Sequence, residues 1–194
     1  MAQREDFGPE AVLAAGLAHL GWTRQRSAME SGLAAHAHPG AWEICWLRRG
    51  RVDWWVDDQA FTVASGHCYI TRPDEIHGAV QSVLEPCDLF WLGLHHGVLP
   101  EIESALLAAP RVFRGSALLA DLWGDLLRQH RQPQAPLARM AAEAALRRLL
   151  VEIARCAHVS PPSRLLSPEI ARAQAFAQEH LADEPAVAAL ARAA

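Results

Sequence analysis

The stretch that decides the fold is His36-Ala-His38-Pro-Gly-Ala-Trp-Glu43-Ile-Cys-Trp-Leu-Arg-Arg-Gly50. Side chains alternate along a β-strand, so two histidines that are two residues apart on a strand point to the same face. A carboxylate follows, and a glycine suited to a tight turn ends the stretch. A second segment runs from Gly66 to Pro73-Asp-Glu-Ile-His77. Together the two segments predict a site of imidazoles and a carboxylate, a ligand set that suits a first-row divalent metal.

The residues around this stretch have the alternating pattern of short β-strands from about Gly32 to Gly97. Val52, Trp54 and Val56 alternate with polar residues, and the segment Asp57-Asp-Gln59 is a plausible hairpin turn. Several short strands separated by turn residues are typical of an all-β barrel or sandwich.

The pattern becomes helical after Pro100. Residues 116–130 and 137–157 both carry apolar residues at helical spacing. Ser160-Pro-Pro-Ser163 has the composition of a linker, and Ser167-Pro168 is typical of a helix start. A further helical pattern begins near Glu184 and is still apolar at Ala194, so we expect another domain to follow it.

Composition excludes several classes of protein. The 18 basic and 22 acidic side chains give a net charge of −4, which argues against a nucleic-acid clamp formed by this chain alone. No apolar run approaches the roughly 20 residues of a membrane helix, and the N-terminus lacks the pattern of a signal peptide. The 4 cysteines have no paired spacing, which predicts reduced thiols in a cytoplasmic protein.

The spacing of the two segments resembles the two cupin motifs, H-x-H-x4-E-x6-G and G-x6-P-x3-H. Glu75 stands where many cupins have a glycine after the proline. The resemblance implies a mainly β plus α fold, with a cupin-type double-stranded β-barrel (jelly roll). An antiparallel pair of helices and a C-terminal helical stub would follow the barrel.

His38 and Glu43 are an odd number of residues apart, so a straight strand would place them on opposite faces. Pro39-Gly40 can supply a bend or bulge that resets the register. Trp42 and Trp46 have the opposite parity to Glu43, so we expect them outside the barrel, under the helices.

The order of barrel, paired helices, linker and helical stub is similar to the sensor half of the AraC/XylS family of transcription regulators. The resemblance implies an effector-binding and dimerisation domain at 1–159, a linker at 160–166 and the start of a helix-turn-helix DNA-binding domain at 167–194. Such a protein would be a homodimer and not an enzyme. It would bind a small molecule in the barrel and DNA through recognition helices that lie beyond residue 194.

His36, His38, Glu43 and His77 are the predicted metal ligands, for Zn, Ni, Fe or Mn. The alternative is a cavity that uses the same residues for hydrogen bonds without a metal. The predicted effector contacts extend this set. They are His36, His38, Glu43, Trp54, Arg72, His77, Leu89 and Trp91.

The indole of Trp91 could stack on a sugar or an aromatic effector, and Arg72 could pair with a carboxylate. The alternatives are that Trp91 is core and that Arg72 is exposed. A self-complementary dimer seam is predicted at the apolar positions of the second long helix. These positions are Leu146, Leu149, Leu150 and Ile153.

A second hypothesis is a metal-dependent cupin enzyme, such as a dioxygenase, isomerase or lyase, that uses the same four ligands. The regulator hypothesis accounts for the linker and the helical tail, which an isolated enzyme does not need.

Overall fold

The strand that carries Glu43 is long and is paired along nearly its whole length, with a register shift between Leu47 and Arg49. The computed structural model describes residues 3–29 and 33–159, which fall in the unit Met1–Ser160. Within them the strands are β1 (Gln3–Phe7), β2 (Leu17–Arg24), β3 (Ala41–Val56), β4 (Gln59–Ala64), β5 (His67–Thr71), β6 (His77–Ala79), β7 (Cys87–His95) and β8 (Val112–Arg114). The α-helices are α1 (Pro100–Ala108), α2 (Leu119–Arg131) and α3 (Ala138–Val159).

β3 changes its partners at Gly50. Its first part pairs with β5 and β7, and the part after Gly50 pairs with β4 and β6, always antiparallel. Gly50 has φ +97°, and a Cβ there would lie 2.9 Å from the Cα of Cys87. The sequence predicted a tight turn at this glycine. The structure instead uses it inside one strand, where a left-handed backbone and a close neighbour both require glycine.

The sheet has the order β1-β2-β7-β3-β5-β8, with β4 and β6 also paired to β3. The β3–β4 connection is the predicted hairpin, and Asp57 in its turn has φ +51°. β1 and β8 are short edge strands that the sequence pattern did not indicate. The predicted mainly β fold with added helices is confirmed.

Two apolar cores lie on opposite faces of the sheet. The inner core contains Leu47, Trp54 and Tyr69. The outer core joins the sheet to the helices and contains Trp42, Trp46 and helix residues of α1, α2 and α3. The parity prediction for Trp42 and Trp46 is therefore confirmed, because both indoles lie between the sheet and the helices.

The two long helices lie where the sequence predicted them, and α1 is an additional one. The structure corrects the predicted dimer seam. Leu146, Leu149, Leu150 and Ile153 are at most 2% exposed and belong to the outer core. These side chains pack within one chain, because the apolar stripe of α3 covers the sheet and α2.

The predicted linker at 160–166 and helical stub at 167–194 lie outside the described residues. None of the described helices is long and apolar enough to cross a membrane.

Candidate ligand and metal site in the barrel

Directly opposed residues on neighbouring strands form rows across the inner face of the sheet, and these rows contain the polar residues of the site. Glu43 on β3 is directly opposite Thr71 on β5 and Gly93 on β7, and Gly93 is opposite His19 on β2. Directly opposed residues point to the same face of a sheet. The next row of this face is Tyr69, Cys45, Trp91 and Gly21. The row beyond it places Leu47 beside Leu89 and Thr23.

His36 and His38 reach the site from outside β3, which corrects the expectation that they lie on a strand. His36 forms an isolated bridge with His77, with backbone N–O distances of 3.0 and 2.9 Å in the two directions. The backbone then turns at Pro39-Gly40, where Gly40 has φ +62°, and β3 begins at Ala41. The turn resets the register, so Glu43 points to the same site as the two histidines.

The four predicted metal ligands come together. One ligand atom from each of His36, His38, Glu43 and His77 lies within 4.8 Å of all the others. Glu43 Oε2 is 2.9 Å from His77 Nε2, and Glu43 Oε1 is 3.2 Å from His38 Nε2. The imidazole of His36 is 4.3 Å from that of His77, centroid to centroid.

Backbone carbonyls fix the orientation of two of the rings. His36 Nδ1 lies 2.8 Å from the oxygen of Ala34, and His77 Nδ1 lies 3.0 Å from the oxygen of Glu75. A carbonyl oxygen can only accept a hydrogen bond, so each Nδ1 carries a proton and is the donor. This leaves Nε2 as the nitrogen that faces the site, which is how metal-binding histidines are usually oriented by the groups around them.

Burial and charge act against each other on the ionisable groups. Burial alone would raise the pKa of Glu43, but contacts with His19, His38 and His77 hold this pKa well below its usual range. Burial lowers the pKa of His77, but the hydrogen bond and charge of Glu43 outweigh it and raise the pKa overall. For His36, burial dominates and lowers the pKa. Glu43 is therefore a carboxylate at neutral pH.

The residues present fit a divalent metal. Three imidazoles and one carboxylate form a donor set that suits Zn, Ni, Fe or Mn. Nε2 of His38 is buried and has no hydrogen-bond partner among the described residues. A buried nitrogen without a partner is costly, and a metal ion would satisfy it.

A cavity of about 440 Å³ opens beside this cluster inside the barrel. Its polar end is formed by His19, His36, His38 and Glu43. Its other walls are largely apolar or aromatic and comprise Leu33, Ala34, Ala35, Cys45, Tyr69, Leu84, Leu89 and Trp91. Burial raises the pKa of both the Cys45 thiol and the Tyr69 hydroxyl well above their usual values, so both remain neutral.

The predicted effector residues separate into two groups. His36, His38, Glu43, Leu89 and Trp91 line the cavity, and His77 adjoins it through its hydrogen bond to Glu43.

Trp54 and Arg72 lie elsewhere. Trp54 is 0% exposed and packs against Phe61 and Tyr69 in the inner core. Arg72 contacts the backbone oxygen of Leu107 on α1 and does not line the cavity.

Among the cavity residues that the sequence pattern missed are two charged side chains and a histidine from the first two strands. His19 is on β2, and Arg4 and Asp6 are on β1. The guanidinium of Arg4 lies 5.1 Å from the centre of the Trp91 ring and pairs with Asp6 at 2.7 Å. No local spacing links these residues to the motif, because they reach the site only through the pairing of β1 with β2 and of β2 with β7.

Several solved structures are similar to this chain in fold. The AraC-like transcriptional activator CuxR is 15% identical with a TM-score of 0.45, covering 93% of this chain and 71% of its own. A predicted oxalate decarboxylase from Thermotoga maritima is 13% identical with a TM-score of 0.38, covering 48% and 80%. A cupin protein from Bacteroides fragilis is 14% identical with a TM-score of 0.39, covering 50% and 80%.

No curated protein sequence matches the chain significantly. The model of the AraC-like ligand binding domain matches residues 24–150, which is well over half of the chain and includes most of the residues that line the barrel cavity. The chain therefore belongs to the AraC-like ligand-binding domain family.

Proposed function

We propose that this chain is the effector-sensing part of a cytoplasmic transcription regulator. A small molecule binds in the barrel cavity and controls DNA binding by a helix-turn-helix domain that follows residue 167. The cavity of about 440 Å³ between the His/Glu cluster and Trp91 carries this proposal, because most of the residues that line it fall within the family match. Its size is in the range that small-molecule sites usually have.

The cavity wall favours an effector with a flat or ring-shaped body and polar groups at one end. Leu84, Leu89 and Trp91 offer apolar contact, and His19 and His38 offer nitrogen atoms at the polar end. A sugar or an aromatic carboxylate has this combination. Arg4 and Asp6 add a charged pair to the wall.

We propose further that His36, His38, Glu43 and His77 bind one divalent ion. Such an ion would supply a positive charge at the polar end of the cavity and attract an anionic or hydroxyl oxygen of the effector. The backbone carbonyls of Ala34 and Glu75 would orient the metal-binding imidazoles of His36 and His77.

Binding can be tested by thermal unfolding with a panel of pentoses, hexoses and aromatic carboxylates. A binding molecule raises the Tm by mass action. The shift should be lost in Trp91→Ala, which removes a wall of the cavity, and retained in Trp55→Ala. Trp55 donates to the backbone oxygen of Ala79 and does not line the cavity. Equal shifts in both variants would contradict binding in this cavity.

The second candidate function is a metal-dependent enzyme. It is favoured by the complete ligand set and by its position at a cavity. A metal there could polarise a substrate carbonyl. The two functions differ in the fate of the bound molecule. An effector is recovered unchanged from the metal-loaded protein, whereas a substrate disappears with the appearance of a product.

A regulator of this type is also proposed to act as a homodimer. The outward face of α3 is the surface we favour, because Met140 is 65% and Val151 41% exposed there although both are apolar. Arg147 and Arg155 lie beside Val151 along one groove. The outward face of α3 from a second copy of the chain would cover the apolar side chains of Met140 and Val151.

A further inference from the structure

His19 lies at the metal cluster although it belongs to neither sequence motif. Its Nε2 is 3.8 Å from Glu43 Oε1, and its ring centroid is 4.6 Å from that of His38. β2 brings it there by pairing with β7, which in turn pairs with β3. The cluster therefore has a fourth imidazole beside it, on the side that lines the cavity.

Gly93 makes the position of this imidazole available. A Cβ on Gly93 would lie 2.5–2.9 Å from Cε1, Nδ1 and Nε2 of His19. Real Cβ atoms do not approach other atoms this closely, so the imidazole occupies the space that a side chain at 93 would need. Gly93 is also directly opposite Glu43 on β3, so the imidazole of His19 lies in the same row of the sheet as the Glu43 carboxylate.

The Nε2 atom of His19 is buried and finds no hydrogen-bond partner among the described residues. At 3.8 Å it is too far from Glu43 Oε1 for a hydrogen bond. Nε2 of His38 is also buried without a hydrogen-bond partner among the described residues, although it lies 3.2 Å from the same oxygen of Glu43. Two unsatisfied nitrogens therefore face one carboxylate oxygen, an arrangement that a shared cation would satisfy.

His19 lies outside the group of four mutually close ligands, but two distances from Glu43 Oε1 agree with ligation of one ion by His19, His38 and Glu43. Two atoms that each lie about 2.1 Å from a metal are about 3.0 Å apart at a right angle and about 4.2 Å apart when opposite. The separations of Glu43 Oε1 from His38 Nε2 (3.2 Å) and from His19 Nε2 (3.8 Å) both fall inside this interval.

We propose that His19 is an additional ligand of the metal centre, coordinating through Nε2 beside His38 and Glu43. This inference rests on the proposed metal site and extends it. A fourth imidazole makes the donor set richer in nitrogen. Nitrogen donors favour Ni²⁺, Co²⁺ and Zn²⁺ over Mn²⁺, which prefers oxygen. His19 should therefore contribute more to Ni²⁺ affinity than to Mn²⁺ affinity.

The test is calorimetric titration of the untagged protein with Ni²⁺ and with Mn²⁺, and the visible absorption spectrum with Co²⁺. His19→Gln should weaken Ni²⁺ binding at least about tenfold, the lower end of what changes around a metal site cause. It should also change the Co²⁺ spectrum, which depends on the number and type of ligands. His158→Gln, an exposed histidine of α3, is the matched control and should leave both unchanged.

Gly93→Ala provides an independent variant, because its methyl group would displace the His19 ring. It should weaken Ni²⁺ binding as His19→Gln does. The double variant His19→Ala/Gly93→Ala relieves the clash, so it should be folded and should bind Ni²⁺ no more weakly than His19→Ala alone. Thermal unfolding of each variant without metal shows that it is folded.

Unchanged Ni²⁺ affinity and an unchanged Co²⁺ spectrum in His19→Gln would overturn the role of His19 while leaving the metal centre in place. A wild-type protein that binds none of these ions would overturn both the metal centre and this inference. Effector binding in the cavity would then be judged separately, by the thermal-shift panel without metal.

Discussion

Glu43 Oε2 lies 2.9 Å from His77 Nε2, and both side chains are buried. Because the Nδ1–H group of His77 donates a hydrogen bond to the carbonyl oxygen of Glu75, the Nε2 atom needs a proton of its own or a cation between it and the carboxylate. Two atoms that both present lone pairs would repel at this distance. Without metal the pair is therefore an imidazolium–carboxylate ion pair. At the proposed metal site, both side chains would be ligands of the ion.

Glu43→Gln tests both states of this pair. Without metal, the amide can still accept one hydrogen bond but loses the charge that stabilises the imidazolium of His77. We expect the free energy of unfolding to fall by about 1–3 kcal/mol, measured by urea denaturation in the presence of a chelator. Divalent metal affinity should also fall, because an amide oxygen is a weaker ligand than a carboxylate. Glu101→Gln, at an exposed position of α1, is the control. Unchanged stability would contradict an ionised pair.

The buried carboxylate of Glu103 on α1 should make the stability of the protein depend on pH. This dependence does not involve the proposed metal ligands. Burial alone would raise its pKa, but donors including the N–H groups of Leu99 and Gly97 and the indole of Trp42 lower it overall. A carboxyl group with a lowered folded-state pKa contributes stability that is complete above the unfolded value of about 4.3. That contribution is lost as the pH falls through the folded-state pKa.

The wild type should therefore be about 1–3 kcal/mol more stable than Glu103→Gln above pH ~5, and this difference should narrow below pH ~4.3. The measurement is the free energy of unfolding against pH for both proteins. Glu101→Gln should follow the wild-type curve, because its side chain is exposed. A stability difference between wild type and Glu103→Gln that grows as the pH falls would contradict a lowered pKa of Glu103.

Gly21 makes room for the cavity wall. A Cβ on Gly21 would lie 2.6 Å from Cε2 of Trp91 and 2.7 Å from the backbone oxygen of Glu5. Gly21→Ala should therefore lower the free energy of unfolding by about 1–3 kcal/mol. It should also weaken effector binding in the cavity, because the new methyl group would move Trp91. Gly124→Ala is the matched control. It has open space in α2, so alanine should stabilise the helix by up to about 1 kcal/mol. Thermal unfolding of the two variants should give opposite shifts.

The two faces of α3 should respond differently to charge. Leu149 is 0% exposed, so Leu149→Glu buries a carboxylate in the outer core and should unfold the protein. Val151 is 41% exposed on the outward face, so Val151→Glu should remain folded and be monomeric. Light scattering after size exclusion, with circular dichroism for folding, makes the distinction. A folded monomer from Leu149→Glu would restore the dimer seam first predicted from the sequence.

The sequence predicted those parts of the site that depend on local spacing. His36, His38 and Glu43 are close along the chain, and a single bend at Pro39-Gly40 brings them together. His77 follows because β6 pairs with β3 and His36 bridges to it. The local spacing within each segment was therefore enough to predict these residues as candidate ligands before the fold was known.

The remaining residues depend on pairing between distant strands. His19 and Arg4 enter the cavity wall through β2 and β1, and a lone histidine or arginine gives no signal of that kind. Trp54 could not be placed from alternation alone. It lies on the predicted inward face, but at the end of β3 beyond Gly50, where Phe61 and Tyr69 fill the space around it. The α3 stripe was equally ambiguous, because an apolar helix face covers a sheet or a partner with the same spacing.

We have proposed that the barrel cavity binds a small effector that is not consumed. The most direct measurement is calorimetric titration of the strongest binder from the panel of sugars and aromatic carboxylates into the wild type, Trp91→Ala and Trp55→Ala, with recovery of the molecule afterwards. We expect one binding site per chain, an affinity at least about tenfold weaker in Trp91→Ala but not in Trp55→Ala, and recovery of the molecule unchanged. Equal binding by Trp91→Ala, chemical conversion of the molecule, or no binding by any member of the panel would contradict it.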